Sequence, residues 1–164
     1  AHRASHATFD RNPKHGISML TIAKISRLVG VDNIHIGTAI GKLVGTKDEV
    51  LQIEDELAEQ IERPLKSENN ILNQSWHGLK DTIPVSSGGL HPGLIPQITK
   101  MLGNDIVLQL GGGIHGHPSG TYDGSKATRQ AIDATLKKIP LKQYSRDKKE
   151  LKAALNKWSF SKPI

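Results

Sequence analysis

The chain has 164 residues and no cysteine, and its length suits one domain of ordinary size. The lack of cysteine excludes a disulfide scaffold, a thiolate metal site and a cysteine nucleophile. Apolar runs are short, and residues 1–15 hold four charges and three histidines, so we expect a cytoplasmic protein without a membrane span or secretory signal. The first residue is Ala rather than Met, so we expect a part of a longer chain.

The net charge of +6 is unevenly distributed along the sequence. Residues 137–164 contain nine Lys and Arg against two acidic residues, whereas residues 1–136 contain thirteen against fourteen. Binding to nucleic acid needs a basic face with stacking aromatic residues, but aromatic residues make up only 4% of this chain. We therefore expect no nucleic-acid partner, and we divide the chain into a body over residues 1–140 and a basic helical extension over residues 141–164.

Helices and short apolar strands alternate along the chain. In chain order, the patterns predict a helix over 13–28, a strand over 31–36, a helix over 48–63, a strand over 83–86, a helix over 93–102, a strand over 106–110, a helix over 124–137 and a helix over 147–158. Asn12 is the expected cap of the first helix and Gly30 its stop, while Pro64, Gly103 and Pro140 end later helices.

This alternation is typical of parallel β/α units. A parallel sheet must be covered on both faces, and three or four strands are about half of an eight-stranded barrel, which typically needs about 250 residues. The sequence therefore predicts an α/β fold that forms half of a (β/α)8 barrel and is incomplete alone.

Glycine and polar residues concentrate where each predicted strand ends. In β/α barrels this end carries the active site, and the last two strand loops commonly bind phosphate. Glycine lets backbone N–H groups approach an anion closely, and hydroxyl and cationic groups add to the binding. A single glycine turn has little meaning, but two after consecutive strands favour a phosphate site. The residues concerned are His35, Gly37, Lys42, Ser87, Gly89, Gly111 and Gly112.

The histidines also have simpler interpretations. His35, taken alone, is better explained as a core histidine at a strand end. His115 and His117 resemble a metal pair, but no third ligand follows at a recognisable spacing, so we interpret them as structural. His2 and His6 are four residues apart, yet they need not share a helical face, which argues against a zinc pair.

Lys42 lies in a loop that contains Gly37, Gly41 and Gly45. The simple interpretation is a solvated lysine, but the flanking glycines favour a hinged lid that carries a charge into the site. The acidic helix over residues 48–63 is interpreted as a solvated outer face.

Five separated motifs carry a resemblance to a known family. They are His2-Arg3-Ala4-x-His6, Asn12-Pro13-Lys14-His15-Gly16, His35-Ile36-Gly37-Thr38-x-x-Gly41-Lys42, Pro84-Val85-Ser86-Ser87-Gly88-Gly89-Leu90-His91-Pro92-Gly93 and Gln109-Leu110-Gly111-Gly112-Gly113-Ile114-His115-Gly116-His117-Pro118. In this order, from residue 2 to about residue 135, the chain resembles the large chain of ribulose-1,5-bisphosphate carboxylase/oxygenase (RuBisCO), in wording closest to the archaeal forms III and II/III. The resemblance covers strands five to eight of that family's barrel.

The resemblance implies roles for individual residues. His2 would transfer protons at the sugar carbons of the enolised substrate, and Lys42 would close over it and stabilise the negative charge that develops as carbon dioxide adds. Arg3, His35 and Ser87 would hold one phosphate. Backbone amides of Gly89, Gly111 and Gly112 would hold the other, with Gln109 at the adjoining strand end. The implied substrate-binding residues are Arg3, His35, Ser87, Gly88, Gly89, Gln109, Gly111 and Gly112.

The resemblance also implies what this chain lacks. The family binds magnesium through a carbamylated lysine, an aspartate and a glutamate that lie earlier in the barrel, so no metal ligand is expected in this segment. The implied partners are ribulose 1,5-bisphosphate, carbon dioxide, oxygen, the N-terminal part of the large chain and further large chains in a homo-oligomer. We expect the segment alone to be inactive. Val44 departs from the family's pattern, which usually has glutamate two residues after the loop lysine.

Three functions are compatible with the sequence. The first is a segment of a true carboxylase, a carbon–carbon lyase that also has oxygenase (monooxygenase) activity. The second is a RuBisCO-like isomerase or enolase, and the third is a non-catalytic half-barrel that binds a phosphosugar. Retention of Arg3, His35, Lys42 and both glycine loops favours the first. The archaeal likeness favours nucleotide salvage over photosynthetic fixation as its context.

Overall fold

The computed structural model describes residues 1–2, 14–38, 40, 47–59, 61–62 and 74–160. Its helices are α1 (Met19–Leu28), α2 (Lys47–Ala58), α3 (Ile95–Leu102), α4 (Gly112–His115), α5 (Gly120–Leu136), α6 (Leu141–Tyr144) and α7 (Lys149–Trp158), with 3-10 turns at Pro92–Leu94 and Ser145–Asp147. Its strands are β1 (Asn33–Gly37), β2 (Ile61–Glu62), β3 (Gln74–Ser75), β4 (Ile83–Ser87) and β5 (Val107–Gln109). The predicted α/β class is confirmed.

Two sheets are present in the described part of the chain. A parallel sheet has the strand order β1-β4-β5, and β2 pairs with β3 in an antiparallel hairpin. The chain divides into two compact units. The first contains Ala1–Gly37, Val44–Val85 and Asp105–Val107, and the second contains Thr38–Leu43, Ser86–Asn104 and Leu108–Ile164. Strands β4 and β5 each begin in the first unit and end in the second.

The first unit is built around the packing of α1 on α2. Apolar residues at helical spacing point inward from both helices, and the fully or almost fully buried ones include Met19, Ala23, Val50, Ile53 and Leu57. The side chain of Arg27 is also fully buried, and it donates hydrogen bonds to the carbonyl oxygens of Glu56 (2.8 Å) and Glu59 (2.6 Å). These bonds satisfy carbonyls at the end of α2 that have no partner within the helix.

The second unit has its core between α3, α5, α6 and α7. The buried members are Ile95, Ala131, Ala134, Leu141, Leu151 and Leu155. Alanine on the inner face of α5 lets α7 approach closely, and a polar bridge reinforces the contact. Glu150 of α7, only 5% exposed, accepts hydrogen bonds from Lys126 (2.7 Å) and Gln130 (2.9 Å) of α5. These two bonds hold the pKa of Glu150 down at about 2. Helices α6 and α7 pack on α5 in this unit, and the predicted boundary at residue 140 stays a prediction.

Two predicted helix limits are wrong. Helix α1 begins at Met19 rather than at Pro13, and its cap is Ser18, whose side chain accepts a hydrogen bond from the Thr21 N–H at 3.2 Å. The predicted cap Asn12 lies outside the described residues. The acidic helix ends at Ala58 rather than at residue 63, because Ile61 pairs with Ser75 in the β2–β3 hairpin.

The remaining predicted elements agree with the structure to within a few residues. Three features of the described residues were not predicted from the sequence. These three are α4 after the triple glycine, the short helix α6 and the β2–β3 hairpin. Across the described ranges, every helix is too short or too polar to cross a membrane.

Candidate functional site

The loop after β4 is held by one threonine. In the second unit, the hydroxyl group of Thr38 donates to the carbonyl oxygens of Ser87 (3.0 Å) and Gly88 (2.9 Å). Ser86 returns a hydrogen bond from its own hydroxyl group to the Thr38 carbonyl oxygen at 3.3 Å. Thr38, 9% exposed, therefore fixes the direction of two successive carbonyl groups in the Ser87-Gly88-Gly89 turn.

This arrangement also fixes two amide N–H groups. The carbonyl and the N–H of one trans peptide point in opposite directions, so the N–H groups of Gly88 and Gly89 point away from Thr38. Two successive carbonyls can face one hydroxyl here because Gly88 and Gly89 have φ of +100° and +67°, a backbone region that favours glycine. The result is a pair of neighbouring amide donors on one side of the turn, as in an anion-binding nest.

The loop after β5 presents a second set of amides. Gly111 precedes α4, and its carbonyl oxygen accepts from the N–H groups of Ile114 (2.9 Å) and His115 (3.0 Å). The N–H groups of Gly112 and Gly113 lie in the first turn of α4 and have no acceptor within the helix. Gly111 and Gly112 are exposed, whereas Gly113 is buried.

The two glycine loops are in direct contact within the second unit. A Cβ atom on Gly113 would overlap the Leu90 carbonyl oxygen and would lie 2.7 Å from Cα of His91. Only a residue without a side chain allows this approach. Leu90 directly follows Gly89, so the contact fixes the spacing between the amides after β4 and those after β5.

Two predicted site residues meet in the first unit. The imidazole rings of His2 and His35 have their centroids 4.8 Å apart and an interplanar angle of 63°, an edge-to-face contact. The His35 N–H donates to the carbonyl oxygen of Ala1 at 3.4 Å. Residues 1–2 thus lie beside β1, and the partly buried His35 lies next to the residue predicted to transfer protons.

The other predicted site residues fall into two groups. Gln109 is the last residue of β5 and is exposed, next to the glycines that begin the following loop. Arg3 and Lys42 lie outside the described residues, as do His6 and Val44.

The two histidines after β5 make hydrogen bonds within the second unit. His117 is 5% exposed, and its Nδ1 accepts from the Ser119 N–H at 3.1 Å. Its Nε2 lies 3.0 Å from the Glu150 carbonyl oxygen, so Nε2 carries the proton and donates to it. His115 instead lies at the surface, with Nδ1 3.1 Å from the Thr121 hydroxyl oxygen. Within the described ranges, no three His, Cys, Asp or Glu residues form a group suited to a metal.

A cavity of about 580 Å³ lies elsewhere in the second unit, between α6 and α7. It is lined by Pro140, Lys142, Gln143, Ser145, Arg146, Lys152, Leu155, Asn156 and Phe160. None of the predicted site residues lines this cavity, and the glycine loops form a surface of backbone amides instead.

Known proteins share both the sequence and the fold. The family profile described as "Ribulose bisphosphate carboxylase large chain, catalytic domain" matches residues 1–158. The chain belongs to the RuBisCO large-chain family. The "Ribulose bisphosphate carboxylase" of Methanosarcina acetivorans is 51% identical to it over 158 residues, which are 96% of this chain and 37% of that protein.

Solved RuBisCO structures also resemble the chain. "Dimeric Archeal Rubisco from Hyperthermus butylicus" matches with a TM-score of 0.88 and 45% identity, covering 97% of this chain and 36% of that one. The octameric ribulose-1,5-bisphosphate carboxylase/oxygenase from Pyrococcus horikoshii OT3 matches with a TM-score of 0.81 and 44% identity, covering 96% of this chain and 34% of that one. The chain therefore spans little more than a third of the length of these RuBisCO relatives.

Two further residues shape the loops and were not predicted from the sequence. Thr38 follows the predicted strand end and lies inside a motif quoted for the RuBisCO resemblance, but the sequence does not show which carbonyls its hydroxyl binds. Gly113 is the third glycine of the triple-glycine turn, and the run alone does not reveal which glycine must lack a side chain.

Proposed function

We propose that this chain supplies strands five to eight of a RuBisCO barrel. In the whole enzyme it would help to add carbon dioxide or oxygen to enolised ribulose 1,5-bisphosphate. Addition of carbon dioxide and water to this sugar gives two molecules of 3-phosphoglycerate. The chain's part is to bind one phosphate through the amides of its glycine loops, to bind the other through Arg3, His35 and Ser87, and to bring Lys42 to the developing charge.

One observation carries this proposal. The Thr38 hydroxyl directs the Ser87 and Gly88 carbonyls to one side, so that two glycine amides face the other side. Oriented amides of this kind bind anions without reorganisation when the ligand arrives. The contact of Gly113 with Leu90 places the amides of the next loop beside them. In this proposal, the two loops together hold one phosphate group.

A contact within the first unit supports the roles proposed for two histidines. His35 is proposed to bind the second phosphate with Arg3 and Ser87, and His2 is proposed to move protons at the sugar carbons. The ring contact of His2 with His35 supports neighbouring roles on one substrate. An imidazole can donate or accept a proton near neutral pH, which suits His2 to this step.

Magnesium, which the family resemblance implies, does not fit the described residues of this chain, because they contain no suitable group of ligands. We place the carbamylated lysine and the two carboxylates in the part of the relatives that this chain does not span. The N-terminal part of the large chain and further large chains are the proposed protein partners. The cytoplasmic location stays a prediction.

The test uses a chimeric enzyme (the chimera). In it, this chain replaces the matching segment of the Methanosarcina acetivorans carboxylase. With magnesium and bicarbonate, we expect the chimera to fix labelled bicarbonate into 3-phosphoglycerate. The parent enzyme is the positive control. The Methanosarcina acetivorans carboxylase with this segment deleted is the negative control.

Other products would contradict the proposal in different ways. An isomerised or enolised product without carbon fixation would favour a RuBisCO-like isomerase or enolase. Tight binding of a sugar bisphosphate by this chain alone, without magnesium and without turnover in the chimera, would favour a non-catalytic binding module.

A further inference from the structure

The C-terminal end of α7 contacts the segments that follow both glycine loops. All of these residues belong to the second unit. The Trp158 ring stacks on the imidazole of His91, with centroids 5.7 Å apart and an interplanar angle of 25°. His91 is fully buried and directly follows Leu90, the residue that touches Gly113. Trp158 therefore packs against the end of the Ser87–Gly89 loop.

The same helix end reaches the segment after β5. Lys157 donates from Nζ to the Gly116 carbonyl oxygen at 2.5 Å. A Cβ atom on Gly116 would lie 3.5 Å from Cζ2 of Trp158, so this ring also covers the last turn of α4. Helix α4 is only four residues long and begins at Gly112. A contact at its end therefore sets the direction of the amides at its start.

A third contact joins the backbone after α7 to the 3-10 turn that follows the β4 loop. A Cβ atom on Gly93 would overlap the Ser159 carbonyl oxygen, so the chain after α7 lies directly on the 3-10 turn at Pro92–Leu94. His91 accepts a hydrogen bond from the Gly93 N–H at Nδ1, at 3.2 Å. Ser159 holds this position with φ of +61°, a conformation that residues other than glycine adopt infrequently. Surrounding contacts must keep it there.

We propose that Trp158 and Lys157 are positioning residues for phosphate binding. They set the relative position of the two glycine loops, although neither residue touches the phosphate. The inference rests on the proposed function. Helix α7, which lies in the basic segment after residue 140, then has a role in positioning the phosphate site.

The role predicts a particular kinetic effect. Substrate binding needs the amides of both loops at hydrogen-bond distance at the same time, and small misplacements weaken such bonds steeply. The charge brought by Lys42 comes from another loop. Loss of the Trp158 and Lys157 contacts should therefore raise KM for ribulose 1,5-bisphosphate much more than it lowers kcat.

The experiment compares variants of the active chimera. We expect Trp158→Ala to raise KM for ribulose 1,5-bisphosphate about tenfold with kcat within about twofold, and Trp158→Phe to restore most of the loss. Leu151→Ala is the matched control. Leu151 lies on the same helix and is fully buried in the core cluster, so this variant should lower Tm while KM stays unchanged.

A second variant keeps the proposal testable if Trp158→Ala does not fold. Lys157 is exposed, so Lys157→Met should fold normally and raise KM about threefold. The positioning role is overturned if KM of Lys157→Met equals that of the chimera, or if Trp158→Ala and Leu151→Ala change KM equally. A chimera without fixation activity would instead contradict the proposed function, which separates the two failures.

Discussion

Thr38 is the residue on which the proposed phosphate site most depends. Its hydroxyl group is the only part of the side chain that bonds the Ser87 and Gly88 carbonyls. Valine has nearly the same shape but lacks this donor. The substitution therefore separates the hydrogen bonds from packing.

We expect Thr38→Val in the chimera to raise KM for ribulose 1,5-bisphosphate about tenfold and to cost about 1 kcal/mol of stability. Without the hydroxyl group, the Ser87 and Gly88 carbonyls have lost their donor, so the Gly88 and Gly89 N–H groups are no longer held in one direction. Steady-state kinetics and thermal denaturation measure the two effects. Thr38→Ser keeps the hydroxyl and should behave like the unsubstituted chimera. Equal KM values for the valine and serine variants would contradict the role of the hydroxyl.

Gly113 gives a prediction about packing. Because its Cα lies against the Leu90 carbonyl, Gly113→Ala should force the two loops apart and destabilise the fold by about 2 kcal/mol. Gly111→Ala is the matched control, since no atom lies within 4 Å of its Cβ position and its φ is −109°. Chemical denaturation of both variants measures the difference. An alanine at 113 that costs no more than an alanine at 111 would refute the close contact.

At the scale of elements, the acidic helix α2 carries a carboxyl group with an unusual pKa. Burial, reinforced by the negative charges of Glu59 and Asp55, raises the pKa of Glu54 to about 7. A raised carboxyl pKa means that the folded state binds the proton more tightly than the unfolded state. Stability should therefore fall as pH rises from about 4.5 to 7, with the full cost present above pH 7.

Glu54→Gln removes this ionisation. Because Glu54 is only about half buried and its charge is partly screened, we expect the variant to gain about 1 kcal/mol at pH 8 and almost nothing at pH 4.5. Thermal denaturation of the chimera and its variant at both pH values is the measurement. The same gain at both values would show that charge is not the cause.

The order of elements could be predicted from the sequence, but several limits could not. Apolar periodicity and glycine stops located β1, β4, β5, α3, α5 and α7 to within a few residues. The early end of α2 depends on Ile61 pairing with Ser75, fourteen residues further along, and local patterns do not show such a partner. The start of α1 at Met19 depends on Ser18 capping it, although Asn12 is an equally good cap by residue type.

The candidate site could be predicted in part for the same reason. Residue type and position at strand ends indicated Ser87, Gly89 and Gly111, whose binding roles stay predictions. The hydrogen bonds of Thr38, the contact of Gly113 and the stacking of Trp158 on His91 join residues from 22 to 67 positions apart. Only the folded chain brings them together, so the sequence alone gave them no role.

At the scale of the whole molecule, the chain is about a third of its RuBisCO relatives in length. Among the described residues, the parallel sheet has three strands in the order β1-β4-β5. The exposed fractions of apolar residues such as Leu28 (58%), Val29 (71%) and Ile83 (45%) are large. Burial of these side chains would be favourable, which is consistent with the proposed association with the remaining part of the barrel.

In the proposed function, Lys42 stabilises charge whereas the glycine loops bind phosphate, and this role leads to a prediction. In the chimera, Lys42→Ala should leave enolisation of ribulose 1,5-bisphosphate within about threefold, yet remove most carboxylation, because its charge acts on the later transition state. Exchange of the C3 hydrogen with solvent measures enolisation, and fixation of labelled bicarbonate measures carboxylation. Lys42→Arg, which keeps a charge of different shape, is the companion variant. Normal carboxylation by the alanine variant would contradict the lid role.

The central claim is that backbone amides of the two glycine loops hold a phosphate of the substrate. A crystal structure of the chimera with a non-reactive sugar bisphosphate tests it directly. We expect phosphate oxygens about 2.7–3.2 Å from the amide nitrogens of Gly89 and of the Gly111–Gly112 turn. A bisphosphate with both phosphate groups bound away from these two loops would show that the glycine amides do not hold the substrate.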